Sequence, residues 1–184
     1  MKKTYITLVL FIIFSLNFVS TSEAKVFMKR DEALKTAFPD AAEIEKNEIF
    51  LSSDQSQTIE SLARAKNDSK LYIIYEAKNG DKTIGYAIID THSLRTKTET
   101  VMFVINPDGS LRQTEVLAFF EPPDYQAGGN WMGLFEGKSS EDSLKIGKDI
   151  PNITGATITA NSLSQATRRI LAVFKVASDE GQLN

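Results

Sequence analysis

The middle of the chain alternates apolar and polar residues, and its two ends carry apolar residues at helical spacing. Arg30 to Phe38 predicts a short helix, with Asp31 as its cap and Ala33, Leu34, Ala37 and Phe38 on one face; Pro39 ends it. Glu43 to Leu51 mixes charge with Ile44, Ile49 and Phe50, as a strand or extended edge would. Ser52-Ser53-Asp54-Gln55 opens a second helix that runs to Ala65, with Ile59, Leu62 and Ala63 as its stripe. Asn67-Asp68-Ser69 is a turn. From Leu71 the period becomes two. Leu71 to Ala77 and Thr83 to Asp90 flank Lys78-Asn79-Gly80-Asp81, whose Asn-Gly pair suits a hairpin. Thr91 to Lys97 is polar and reads as a connector. Glu99 to Ile105 and Leu111 to Phe119 flank a second turn, Asn106-Pro107-Asp108-Gly109. Ala160 to Ala177 returns to helical spacing through Leu163, Ala166, Ile170, Leu171 and Phe174. The fold expected is α+β: a mainly antiparallel sheet of at least four strands, with the two N-terminal helices and the last one available to cover a face.

Between sheet and last helix the pattern breaks. Glu121-Pro122-Pro123-Asp124-Tyr125 is stiff, Gly128-Gly129-Asn130 is loose, and Trp131, Met132, Leu134 and Phe135 crowd one short turn. A long aromatic loop in a domain of this size reads as a binding loop. The first residues form a separate object. Lys2 and Lys3 precede an apolar run from Tyr5 to Val19, and Ser22-Glu23-Ala24 ends it with small residues, the order of a secretory signal. The organisation expected is a signal over 1–24, removed after Ala24 in preference to being kept as an anchor, and one domain over 25–184.

Composition narrows the chemistry. With 42% hydrophobic and 24% charged residues the chain has the material for a core. It has no Cys, which removes disulfides, lipid attachment, c-type haem and iron–sulfur clusters. Loss of the leader makes it one charge more acidic than its formal −3 at pH 7, a poor balance for binding nucleic acid. His92 is the only histidine, and a polar surface connector is its expected place. One histidine does not make a zinc site. No Ser-His-Asp set, P-loop or dinucleotide fingerprint is evident.

The stretch with most chemical promise is Thr154-Gly155-Ala156-Thr157, just ahead of the last helix. A Gly-centred turn opening onto a helix offers free N–H groups and a positive dipole end, which suits a phosphate. Thr154, Thr157 and Thr159 could equally be plain helix caps.

The longer pattern Asp149-Ile-Pro-Asn-Ile-Thr-Gly-Ala-Thr-Ile-Thr159, following the Glu-Pro-Pro-x-Tyr loop, the Trp/Phe turn and Gly137-Lys138, resembles the FMN-binding domain family. Its members include the C and G subunits of sodium-pumping NADH:quinone reductase and of Rnf complexes. Arg95-Thr96-Lys97-Thr98-Glu99-Thr100-Val101 is similar to small stand-alone exported members. The resemblance spans about 72–177, leaving 25–68 as an N-terminal helical part. It implies FMN joined by a phosphoester to Thr157, made by an FAD:protein FMN transferase, with Thr154, Gly155, Ala156 and Thr159 shaping the turn. Many members carry a second acid where this chain has Pro151. A flat flavin needs apolar walls and a few polar groups at its edge. Tyr125, Trp131 and Phe135 are the candidate walls, with core packing as their alternative, and Glu121 the candidate edge group. Arg95, Lys97, Arg168 and Arg169 could neutralise phosphate or reduced flavin, although exposed charge is their default. The resemblance implies an extracytoplasmic electron carrier serving redox proteins, some membrane-associated, more than an autonomous enzyme. The alternatives are a flavin-free binding module and a flavin-dependent reductase of a small acceptor.

Overall fold

The computed structural model describes residues 25–183, so the expected leader lies outside the described residues. Six strands form one antiparallel sheet: β1 (Lys25–Val26), β2 (Glu43–Phe50), β3 (Leu71–Asn79), β4 (Lys82–Ser93), β5 (Thr98–Ile105) and β6 (Leu111–Phe119). Their order is β1-β6-β5-β4-β3-β2. Strands β2 to β6 thus form a meander, and β1 closes its far edge against Phe119 and Ala118. The other edge, β2, carries Glu43, Glu45, Lys46 and Glu48, charges that discourage pairing with another chain.

The helices are α1 (Arg30–Ala37), α2 (Ser53–Ala63), the single turn α3 (Gly129–Met132) and α4 (Thr157–Asp179). Among the described residues no helix is long and apolar enough to cross a membrane. Lys29 precedes α1 without a side-chain cap, and Asp31 lies inside the first turn, so Asp31 is not the cap expected. Ser52 and Gln55 close a full capping box on α2. The first hairpin closes on the pair Asn79 and Lys82, which puts Gly80-Asp81 at its tip; Gly80 has φ 61°, the sign the tip requires.

The sheet is covered on both faces. Ile74, Ile88, Val101, Phe103 and Ile105 point to the face where α2 and α4 pack, and Leu163, Ile170, Leu171 and Phe174 of α4 meet them. Burying each such side chain stabilises by about 1.5–3 kcal/mol. The opposite face, with Tyr75, Ala77, Ala87, Met102, Val104 and Leu117, is met by Ala33 and Leu34 of α1 and by Phe38 at its C-cap. Helical spacing placed these three residues on one side of α1. Which side of the sheet receives them depends on Pro39 and the turn into β2, which the periodicity does not encode.

Candidate functional site

Ile153-Thr154-Gly155-Ala156 is a turn closed by Ala156 N–H donating to the Ile153 carbonyl at 3.1 Å. Gly155, third of the four, has φ 84°, and nothing stands within 4 Å of where a Cβ would lie. Glycine is required there by the backbone, not by crowding. The chain then enters α4 at Thr157. Ala156 occupies the cap position with 3% exposure and no hydroxyl to offer, and no side chain caps this end. The first helical bond is Ala160 N–H to the Ala156 carbonyl, 3.0 Å. The N–H groups of Thr157, Ile158 and Thr159 lie ahead of it, without a carbonyl partner in the helix.

Thr157 is exposed. Its Oγ1 accepts from Asn152 Nδ2 at 3.0 Å, and its carbonyl accepts from Asn161 Nδ2 at 2.8 Å. Thr154 and Gly155 are exposed beside it, whereas Thr159 is buried at 3% and faces inward. The hydroxyl of Thr157 therefore stands in solvent next to three free donors, the arrangement that suits a phosphate group.

Two segments fix the turn in place. Trp131 is half-buried and donates its Nε1–H to the Pro151 carbonyl at 2.7 Å, while its ring meets Phe135 edge-on at 5.2 Å. Pro151 thus serves as a main-chain acceptor that ties the loop to the turn. Asp149 organises the preceding residues: Ser143 Oγ and Lys145 N–H both donate to its Oδ2, and they hold its carboxyl below the usual range.

The other expected residues divide by where the fold puts them. Tyr125 is half-buried with the Arg95 guanidinium over its ring at 5.1 Å. Phe135 is only 1% exposed and belongs to the main core, so it backs Trp131 and has no face of its own to offer. Glu121 is 4% exposed, and its Oε1 accepts from Thr96 N–H at 2.7 Å, Lys97 N–H at 2.8 Å and Thr96 Oγ1 at 3.2 Å. Those N–H groups hold its carboxyl below the ordinary value. Glu121 is thus a clasp on the β4–β5 hairpin tip and not a solvated turn acid. Arg95 and Lys97 are exposed on that tip.

Arg168 and Arg169 depart from the exposed default. Arg168 Nε donates to the Ala63 carbonyl at 2.6 Å, which satisfies the C-terminal end of α2, and its Nη1 donates to Ser164 Oγ at 2.9 Å. Arg169 pairs with Asp90 at 2.9 Å. His92 departs too. Strand β4 continues through Thr91-His92-Ser93, and His92 lies inward between two carboxylates instead of on a surface connector. Its inward face was readable from the period of two that continues from Ile88 through Asp90. Among the described residues no group of three or more acids and histidines could hold a metal ion.

Residues 96–172, from the hairpin tip gripped by Glu121 to the middle of α4, match the model of the FMN-binding domain family. This part of the chain is similar to that family. The fold of the chain is also similar to that of a solved protein: the crystal structure of Shewanella oneidensis NqrC matches with a TM-score of 0.54. The match covers 84% of this chain and 90% of that one at 12% sequence identity, so the likeness is one of fold. No curated protein matches the chain. The structural likeness therefore reaches well beyond the matched family segment.

Proposed function

We propose that the protein is an exported electron carrier whose FMN is esterified through its phosphate to the hydroxyl of Thr157. The observation that carries this reading is the exposed Thr157 hydroxyl at the uncapped start of α4, inside the segment that matches the FMN-binding family. FMN supplies reversible electron acceptance when bound. The chain's own residues do the rest. Thr157, Ile158 and Thr159 present N–H groups to the phosphate, and Asn152 holds the Thr157 hydroxyl by donating to it, which leaves the hydroxyl proton directed outward. Trp131, held at Pro151, is the half-buried aromatic ring bonded to the segment leading into the turn, and Tyr125 under Arg95 is a further half-buried ring.

An FAD:protein FMN transferase would make the ester, and membrane-associated redox proteins would give and take the electrons. The leader over 1–24 supports an extracytoplasmic place for both encounters. Intact mass of the exported chain, made together with such a transferase, tests the reading. The expected result is a mature chain carrying one flavin that survives denaturation, with Thr157→Ala unmodified. An unchanged mass in the parent chain, or a Thr157→Ala chain that still gains flavin, would reject it.

A further inference from the structure

Away from the Thr157 turn, one group of ionisable side chains is buried under α4. His92 on β4 stands opposite Glu99 on β5. Its Nε2 is 2.8 Å from Glu99 Oε1 and its Nδ1 is 2.9 Å from Asp90 Oδ2. Arg169 of α4 donates to the same Asp90 oxygen at 2.9 Å. Side-chain exposure is 10% for His92, 12% for Asp90, 15% for Arg169 and 0% for Glu99. From β3, buried Tyr72 faces Asp90 and Arg169 and also feels Asp68, with its hydroxyl donating to Asn67 Oδ1 at 2.6 Å.

A neutral imidazole has one N–H, and two carboxylates ask for two. Burial works against a charge on the ring, but the hydrogen bonds to Asp90 and Glu99 outweigh it and lift the His92 pKa to about 9. As an imidazolium the ring can donate one N–H to each of the two carboxylates. Glu99 Oε2 has no hydrogen-bond partner, so the His92 N–H is the one side-chain donor to this carboxylate among the described residues.

We propose that Asp90, His92, Glu99 and Arg169 form a proton-held clamp that positions the β4–β5 hairpin tip against α4, the helix that begins at Thr157. The tip carries Arg95, which lies over Tyr125, and Thr96 and Lys97, whose N–H groups hold Glu121. His92 is thus a positioning residue acting through that tip. Its effect on a flavin rests on the Thr157 reading, whereas the clamp does not. When the proton leaves, a neutral ring donates to only one of its neighbours. If that donor stays with Asp90, Glu99 becomes a buried carboxylate without a side-chain donor, a state that favours opening of the hairpin.

The sequence has a single histidine, so one imidazole NMR signal reports the clamp directly. The titration is done first on the whole flavin-free chain carrying Thr157→Ala, where failure of flavin attachment cannot interfere. The signal should titrate near pH 9. Amide exchange at 94–99 and 120–125 should accelerate across the same interval by about tenfold or more beyond its intrinsic base catalysis. Glu99→Gln, which accepts from or donates to a neutral ring, should lower the imidazole pKa and keep the hairpin protected. A titration at or below the ordinary value of about 6.5 would overturn the clamp. So would hairpin exchange that ignores the imidazole titration. In the flavin-loaded chain the visible circular dichroism should change over the same interval, and a constant signal while the hairpin opens would overturn the positioning role.

Discussion

Two helices lie on the same face of the sheet, and their first turns are built in opposite ways. At the start of α2, Ser52 Oγ accepts from Gln55 N–H at 3.2 Å and Gln55 Oε1 accepts from Ser52 N–H at 2.6 Å. At the start of α4, Ala156 has nothing to offer and the hydroxyls nearby point elsewhere. The difference follows from packing. α2 buries only Ile59 and Ala63, so it depends on its cap. α4 has thirteen buried residues and does not. Tertiary burial along one helix leaves its first turn free to serve a ligand, which a weakly packed helix of similar composition could not do.

The largest effect should come from Thr157→Ala. It removes all covalent flavin by mass and absorbance while moving the urea midpoint by less than about 0.5 kcal/mol, because Thr157 is exposed and caps nothing. If the fold weakened by much more, Thr157 would be a structural residue and the contrast with α2 would fail. Next is the attachment of α4 to the sheet at alkaline pH. The folded pKa of His92, about 9, lies above the unfolded value of about 6.5. Its contribution is therefore complete below about 6.5 and is lost as pH rises through 9. Urea unfolding across that range should show a decline on the order of 3 kcal/mol, absent from His92→Asn. Ser52→Ala comes third, at about 1 kcal/mol, read from the same urea curves. Gly155→Ala should cost about as much or slightly less, through φ 84° alone, since its Cβ would meet open space. Its sharper signature is slower flavin attachment, because strain in the turn moves Thr157 relative to its free N–H groups.

The two hairpins β3–β4 and β5–β6 were legible because Gly80 and Gly109 mark turns between runs rich in β-branched and aromatic residues. Ile74, Ile88 and Phe103 could be assigned to one face without coordinates. α4 was legible from its stripe. The misreadings share one physical cause: polarity was taken for exposure. Thr91-His92-Ser93 contains no apolar residue, yet it is strand, and its one bulky side chain is buried because two acids satisfy it. Arg168 and Arg169 were read as solvent charges, but one satisfies a helix end and the other a buried aspartate. Trp131 and Phe135 were treated alike, although a single helical turn separates a half-buried ring from a core ring. β1 passed unnoticed, since two residues carry no period. In the site itself, the Gly155 turn and exposed Thr157 stood out from residue type alone. The strap from Trp131 to Pro151 did not, because a backbone carbonyl has no signature in a sequence.

The brevity of β1 has a mechanical consequence. Its two residue pairs with β6 join positions some ninety residues apart, and closing so long a loop carries an entropic cost that two pairs alone do little to offset. The meander must therefore assemble before β1 docks, and β1 must be the first strand to peel away. A pull applied through the chain ahead of Lys25 would be absorbed by unzipping Lys25 and Val26 from Phe119 and Ala118, before any strain reached β5 or the helix that starts at Thr157. The edge strand acts as a mechanical fuse between the chain ahead of Lys25 and the rest of the sheet.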